Sequence, residues 1–226
     1  MKRSYKDVLI RCLILMVGLI IAHFGVTLYL MADLGADPFN VLIQGLFRTT
    51  QCVFSGVPIT HGNVHIAVSF LIILILLVVG RTYVKIGTLL CMLCGGLIID
   101  IFTIILTPLF STEHPIWIDY CVEVIACVIL AFGMTIVIKS DAGTGPNDLV
   151  AVVISDKLHF KFSVVRILTD LTFVAIGFLL GGALGVGTII CAFLVGPVAG
   201  FFLPYSERYI NKIVQDDKEK DERKLL

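Results

Sequence analysis

Residues Ser140 to Val150 read SDAGTGPNDLV, with two glycines, a proline and two aspartates set directly between apolar stretches. A near copy, ADLGADPFNVL, stands at Ala32 to Leu42. Asp33, Gly35, Pro38, Asn40 and Val41 match Asp141, Gly143, Pro146, Asp148 and Leu149 at a constant offset of 108. A second pair of segments agrees: Gly87, Thr88 and Cys91 in IGTLLCMLCGG align with Gly187, Thr188 and Cys191 in VGTIICAFLVG at an offset of 100. The chain is read as a duplication, and the fold turns on which way round the two copies lie.

Around these motifs 58% of the 226 residues are apolar and only 15% are charged, and several apolar runs reach the ~20 residues that a helix needs to cross a bilayer. Hydropathy predicts six spans, near Val8–Met31, Val64–Gly80, Ile86–Thr107, Ile116–Ile138, Phe162–Leu180 and Val186–Leu203. The first run ends without a small-residue cleavage site and is read as a retained span. The expected fold is all-α, a polytopic transmembrane bundle. Residues 1–107 form a first repeat, 116–206 a second, and 207–226 a charged tail whose mixed signs predict a solvated end.

Lys2, Arg3, Lys6, Arg81, Lys85, Lys139, Lys157, Lys161 and the basic residues from Arg208 fall on one side of this arrangement, and Arg48 on the other. Short loops rich in Lys and Arg stay inside, so both termini are expected in the cytoplasm. Three spans per copy is an odd number. The second copy therefore enters the membrane in the opposite sense, with the Asp33–Asn40 motif on the outer side and the Asp141–Asp148 motif on the cytoplasmic side. Paired Gly/Pro interruptions in an inverted repeat point to an alternating-access carrier with its site where the halves meet.

In each motif the proline falls at the first position of a helix, preceded by Asp37 or Gly145 and followed by Asn40 or by Asn147 and Asp148. Two readings stay open. The motifs are either well-capped turns, or half-helices whose free N–H groups face a cavity and hold an anionic group, with Asp33 or Asp141 holding a cation or proton. The apolar segments that follow are too short to span, so each is re-entrant or interfacial.

Charges inside the spans are costly unless paired or wetted, which singles out the remaining candidates. Arg166 and Asp170 stand i,i+4 on the fifth span and can pair along one face; Asp100 is alone on the third; His23 lies past the middle of the first. Against a role in a substrate or ion path stand snorkelling for Arg166 and a simple helix-to-helix hydrogen bond for Asp100 or His23. Asp119 and Glu123 lie beside Trp117 and Tyr120 and are read as an interfacial cluster. Gly35, Gly143, Gly187 and Thr188 are read as hinge or close-packing positions. Seven cysteines, six of them in apolar segments, predict no disulfide framework, and the Cys91/Cys94 pair reads as packing.

The motif DAGTGPNDLV, then Arg166 with Asp170, then GFLLGGALGVGT with Gly196 and Pro197, resemble the YczE/YyaS/YitT group of bacterial membrane proteins, most closely its YczE branch. The resemblance implies a bacterial inner-membrane protein of about six helices, and an accessory role in secondary-metabolite production. The family pattern carries Arg after the motif proline, where this chain has Asn147; the departure removes a charge that would bind an anion.

No HExxH, GxSxG, P-loop or paired-histidine spacing is present, so no catalytic residue, cofactor or metal is expected, and zero formal net charge without a basic stripe argues against nucleic acid. Two functional classes remain. One is a small-solute carrier, alone, as a homo-oligomer or as a subunit of a larger complex; the other is a membrane scaffold or regulator in which the same glycines and caps serve only folding.

Overall fold

The computed structural model describes residues 5–32, 34, 35, 37–53, 59, 61–110 and 115–225, with backbone alone from 216 onward; Asp33 lies outside the described residues. Eight helices and no strand occur among them: α1 (Tyr5–Ala32), α2 (Pro38–Val53), α3 (His61–Gly80), α4 (Ile86–Phe110), α5 (Ile116–Lys139), α6 (Pro146–Leu158), α7 (Phe162–Leu179) and α8 (Val186–Leu225). Six of these, all but α2 and α6, are long and apolar enough to cross a bilayer. Their outer faces are apolar, with Leu93, Ile104, Ile125 and Phe193 all more than half exposed. Water would not tolerate such a belt, and a lipid acyl phase does. The protein is a multi-pass helical membrane protein.

The two short helices start as the motif chemistry dictates. At Asp37 the carboxylate oxygen Oδ1 accepts the N–H groups of Phe39 (3.2 Å) and Asn40 (3.3 Å), an N-cap that satisfies two of the orphan donors of α2. Gly145 precedes α6 in an extended conformation without a side-chain cap, and Pro146 opens the helix with its fixed φ. Both approach turns need glycine, since Gly35 has φ of 140° and Gly143 of 142°.

Packing is built from small residues. Where α1 crosses α5, a Cβ on Gly25 would strike Ala126 and Leu130, and one on Gly133 would strike Gly18 and Ala22. These are the same contacts with the helices exchanged, because 18, 22 and 25 become 126, 130 and 133 at the motif offset of 108. The wider packing follows suit: α1 rests on α4 as α5 rests on α8, α2 on α7 as α6 on α3, and α2 on α3 as α6 on α7. The exchange is incomplete, for α7 packs on α8 while α3 and α4 make no comparable contact among the described residues.

Ion pairs and hydrogen bonds sort the helix ends. Arg11 of α1 reaches the Ser140 carbonyl (3.1 Å) and Asp141, Lys85 just before α4 pairs with Asp141, and Lys139 of α5 pairs with Glu207 of α8 (2.6 Å). This is the Lys85 end. At the opposite end Arg48 donates to the Gly181 carbonyl and Gln44 Oε1 accepts from Ala183 N (3.1 Å). The sixth span does not stop near residue 203, as hydropathy predicts; α8 continues to Leu225 through the charged tail, because Glu, Lys and Arg are good helix formers and no breaker follows Pro204.

Candidate functional site: a cavity between two half-helices

The N-termini of α2 and α6 meet. Asp37, Pro38 and Asn40 from one, and Gly145, Pro146, Asn147 and Asp148 from the other, line a single cavity of about 350 Å3. From it α2 runs to the Arg48 end, where Thr49 joins Arg48 against the turn at Leu180. Helix α6 runs to the Lys85 end, where Lys157 donates to the Val79 carbonyl and Tyr83 to Asp156. Two helices thus leave one interior point toward opposite ends. Both motif helices are embedded rather than surface-lying, with Phe39, Val41, Leu42 and Ile43 of α2 and Leu149, Ala151 and Val153 of α6 all buried.

Each motif is also tied to the far half by one backbone bond. Gly187 N donates to the Leu34 carbonyl (3.0 Å), and Gly87 N donates to the Ala142 carbonyl (2.9 Å), again the same bond with the halves exchanged. The adjoining Thr88 and Thr188 are completely buried.

Polar chemistry around the cavity centres on Arg166. Its Nη1 donates to Asp148 Oδ1 (2.5 Å) and its Nε to Asp170 Oδ2 (2.8 Å), so the guanidinium bridges motif and span. Asp170 is completely buried, and its Oδ1 has no hydrogen-bond partner among the described residues. Across the cavity the Asn40 amide donates to Asp37 Oδ2 (2.5 Å), and Asn147 to Asp148 Oδ1 (3.1 Å). His23 donates Nδ1–H to the Leu19 carbonyl (2.8 Å), which fixes the tautomer and leaves Nε2 over Gly95 as an acceptor.

Of the residues singled out from sequence, Asp37, Asn40, Asn147, Asp148, Arg166 and His23 come together here, with Asp170 directly behind Arg166. Asp141 does not: together with Gly143 and Thr144 it lines a second space, about 780 Å3, that opens at the Lys85 end between Tyr83, Asp156 and His159. The segment from Asp141 to Gly145 and the first turn of α6 are therefore the wall between that vestibule and the cavity. Asp100 is exposed on the outer surface of α4, away from the cavity, because the side of α4 that meets the core carries Gly87, Thr88, Cys91 and Gly95.

Glu123 departs most from its sequence reading. It is not interfacial but fully buried against Gly187, with the Tyr29 phenol facing it, and neither its oxygens nor that phenol complete a well-aligned hydrogen bond. The motif offset carried the signal, since it sets Glu123 opposite Leu15, a residue buried against Gly87 in the other half. His65 and Ser69 were also missed; they line the cavity from α3 and stand 101 residues before Arg166 and Asp170. Cys91 and Cys191 are free and line the cavity too. A larger groove, about 790 Å3, lies among Leu13, Val17, Phe132, Phe201 and Tyr205 on the apolar flank of α1, α5 and α8 and has no part in this polar chemistry.

These features define a membrane protein with an interior polar site framed by two broken helices. Residues 9–204 match the family described as a family of unknown function (DUF6198), and the chain belongs to it. It is 30% identical over 210 residues to the uncharacterized membrane protein YczE of Bacillus subtilis (strain 168), covering 92% of this chain and 93% of that one. An uncharacterized protein of Haemophilus influenzae is 32% identical over 196 residues (84% and 82%), and the uncharacterized protein YyaS of Bacillus subtilis is 22% identical over 198 residues (85% and 92%). No solved structure matches.

Proposed function

We propose that the chain is a small-solute carrier of the bacterial cytoplasmic membrane, built from two inverted three-span repeats that give the central cavity access to each side in turn. The observation that carries this reading is the meeting of the α2 and α6 N-termini at one cavity from which the helices run to opposite ends. The exchanged Gly187–Leu34 and Gly87–Ala142 bonds and the exchanged glycine contacts of α1 and α5 support the inverted repeat. The positive-inside bias supports an orientation with the Lys85 end and both termini in the cytoplasm.

In this reading the Asp141–Thr144 segment is the inner gate. Lys85 and Arg11 hold Asp141, and the Gly87–Ala142 bond holds the backbone beside it. The outer gate is the Leu34–Gly187 contact together with the glycine turn before α8. A carrier must break one set while keeping the other. The test is accessibility of a cysteine placed at Asn147 in a variant whose native cysteines are replaced, read with a membrane-impermeant maleimide in right-side-out and inside-out vesicles. A carrier gives labelling from both sides, and disrupting the Lys85 clasp raises the cytoplasmic rate. Labelling from neither side, or from one side in every condition, contradicts transport and favours a scaffold.

A further inference from the structure

The charge inventory of the cavity names a class of ligand. Asp37 and Asp148 line it, Arg166 lines it, and Asp170 stands directly behind Arg166, completely buried. Arg166 is shared between Asp148 and Asp170, so its charge is already spoken for by two carboxylates, and Asp37 faces the cavity from the other side with no further Lys or Arg among the cavity-lining residues described. The half-helix N-termini add about +0.5 each. With His23 and His65, which also line the cavity, neutral, three carboxylates, one guanidinium and two such ends leave about one unit of negative charge around it.

The sites that would attract an anion are used internally. The first N–H groups of α2 go to Asp37, and the α6 N-terminus carries Asp148 in its first turn. Asp170 Oδ1, behind Arg166 and outside the cavity lining, has no hydrogen-bond donor among the described residues, so Arg166 is the one cation that carboxylate meets. The remaining wall is apolar, from Val26, Phe39, Met92, Ile99 and Leu130.

We propose that the cavity binds a small monovalent organic ammonium, its charged head between Asp37 and Asp148 and its apolar body against Phe39 and Met92. The volume of about 350 Å3 sits at the lower limit for ligand pockets, about 300 Å3, which restricts the solute to a compact amine. The proposal rests on the reading of the cavity as a carrier's solute site, but it is tested by binding alone.

The purified full-length protein is unfolded thermally with n-alkylammonium chlorides from methyl to hexyl, with the sodium carboxylates of the same lengths, with 4-aminobutyrate, and with sodium chloride as reference. At least one alkylammonium raises the transition by about 2 °C or more in a saturable way, and the carboxylates and the zwitterion do not. Asp37→Asn keeps a competent N-cap and so tests charge without loss of the helix start; it weakens the response at least about tenfold in concentration. Asp148→Asn does the same if it folds. A stronger effect of a carboxylate or of 4-aminobutyrate, no saturable response to any ammonium, or an unchanged response in a folded Asp37→Asn variant overturns the proposal. Ammonium binding without two-sided labelling at position 147 would retain the site and remove the carrier. Two-sided labelling with carboxylate preference would do the reverse.

Discussion

The two ends of the molecule share a backbone plan and differ in what secures it. At both, a glycine with φ near 140° brings a motif carbonyl, Leu34 or Ala142, onto the amide of Gly187 or Gly87 at the start of a span. At the Lys85 end Asp141 adds ion pairs to Lys85 and Arg11. At the Arg48 end the position 100 residues after Lys85 is Gly185, and closure there relies on backbone approach so tight that a Cβ on Gly185 would meet Leu34 and Gly35. The two ends thus share a backbone geometry and differ in side-chain chemistry, so in the proposed carrier one gate is ionic and the other is steric.

The same divergence appears in the core, and there its energetic effect is largest. Arg166, Asp148 and Asp170 form a charged triad at the cavity wall, with Arg166 and Asp170 buried, where the other half has His65, Asn40 and Ser69. Arg166→Met leaves two carboxylates uncompensated and should cost about 3–5 kcal/mol, read as loss of folded yield, whereas Arg166→Met with Asp170→Leu recovers part of it. His65→Ala should cost less than that single change in the same assay.

Next in size are the gate glycines. Gly35→Ala and Gly143→Ala each force a side chain into left-handed backbone and against Thr188 or Thr88, a cost of about 1–3 kcal/mol by denaturation. The steric gate predicts that Gly185→Ala is as damaging, while Lys85→Ala is not. Glu123→Leu combined with Tyr29→Phe, which removes the buried carboxylate and the phenol that faces it together, should stabilise by about 1–3 kcal/mol, whereas Glu123→Leu alone gains less because the Tyr29 hydroxyl stays buried.

Smaller still is the ionic clasp. Both Lys85 and Asp141 are about one-third exposed or more, so Lys85→Gln should change stability by less than about 1 kcal/mol and show instead in gate accessibility. The smallest effect concerns Tyr83, whose phenol is held above its ordinary range by its bond to Asp156. A raised folded pKa means that this contribution is complete below the unfolded value, about pH 10, and is lost as pH rises through the folded one; Tyr83→Phe should remove that alkaline dependence.

Much of this arrangement was legible in the sequence for physical reasons. The spans follow from hydropathy because lipid imposes length and apolarity together, and their starts at Ile86, Ile116, Phe162 and Val186 agree with the helices observed. The site residues on the motifs were legible because proline, glycine and cap residues have local conformational meaning. Asp100 was not, since a lone carboxylate on an apolar helix carries no mark of which face it occupies. Glu123 was misread because nearby Trp117 and Tyr120 suggested an interface, while the evidence for burial lay 108 residues away at Leu15. That the tail continues α8 was not foreseen, because mixed charge speaks to solvation and does not forbid a helix.

The central claim, that one gate opens as the other closes, is tested most directly by distance measurement between paired spin labels in lipid. One pair, at Thr82 and His159, reports the Lys85 end; the other, at Arg48 and Ala183, reports the Arg48 end. The account predicts that each pair shows two distances, and that Lys85→Gln lengthens the first while shortening the second. A single unchanging distance at both ends, or both lengthening together, would contradict it.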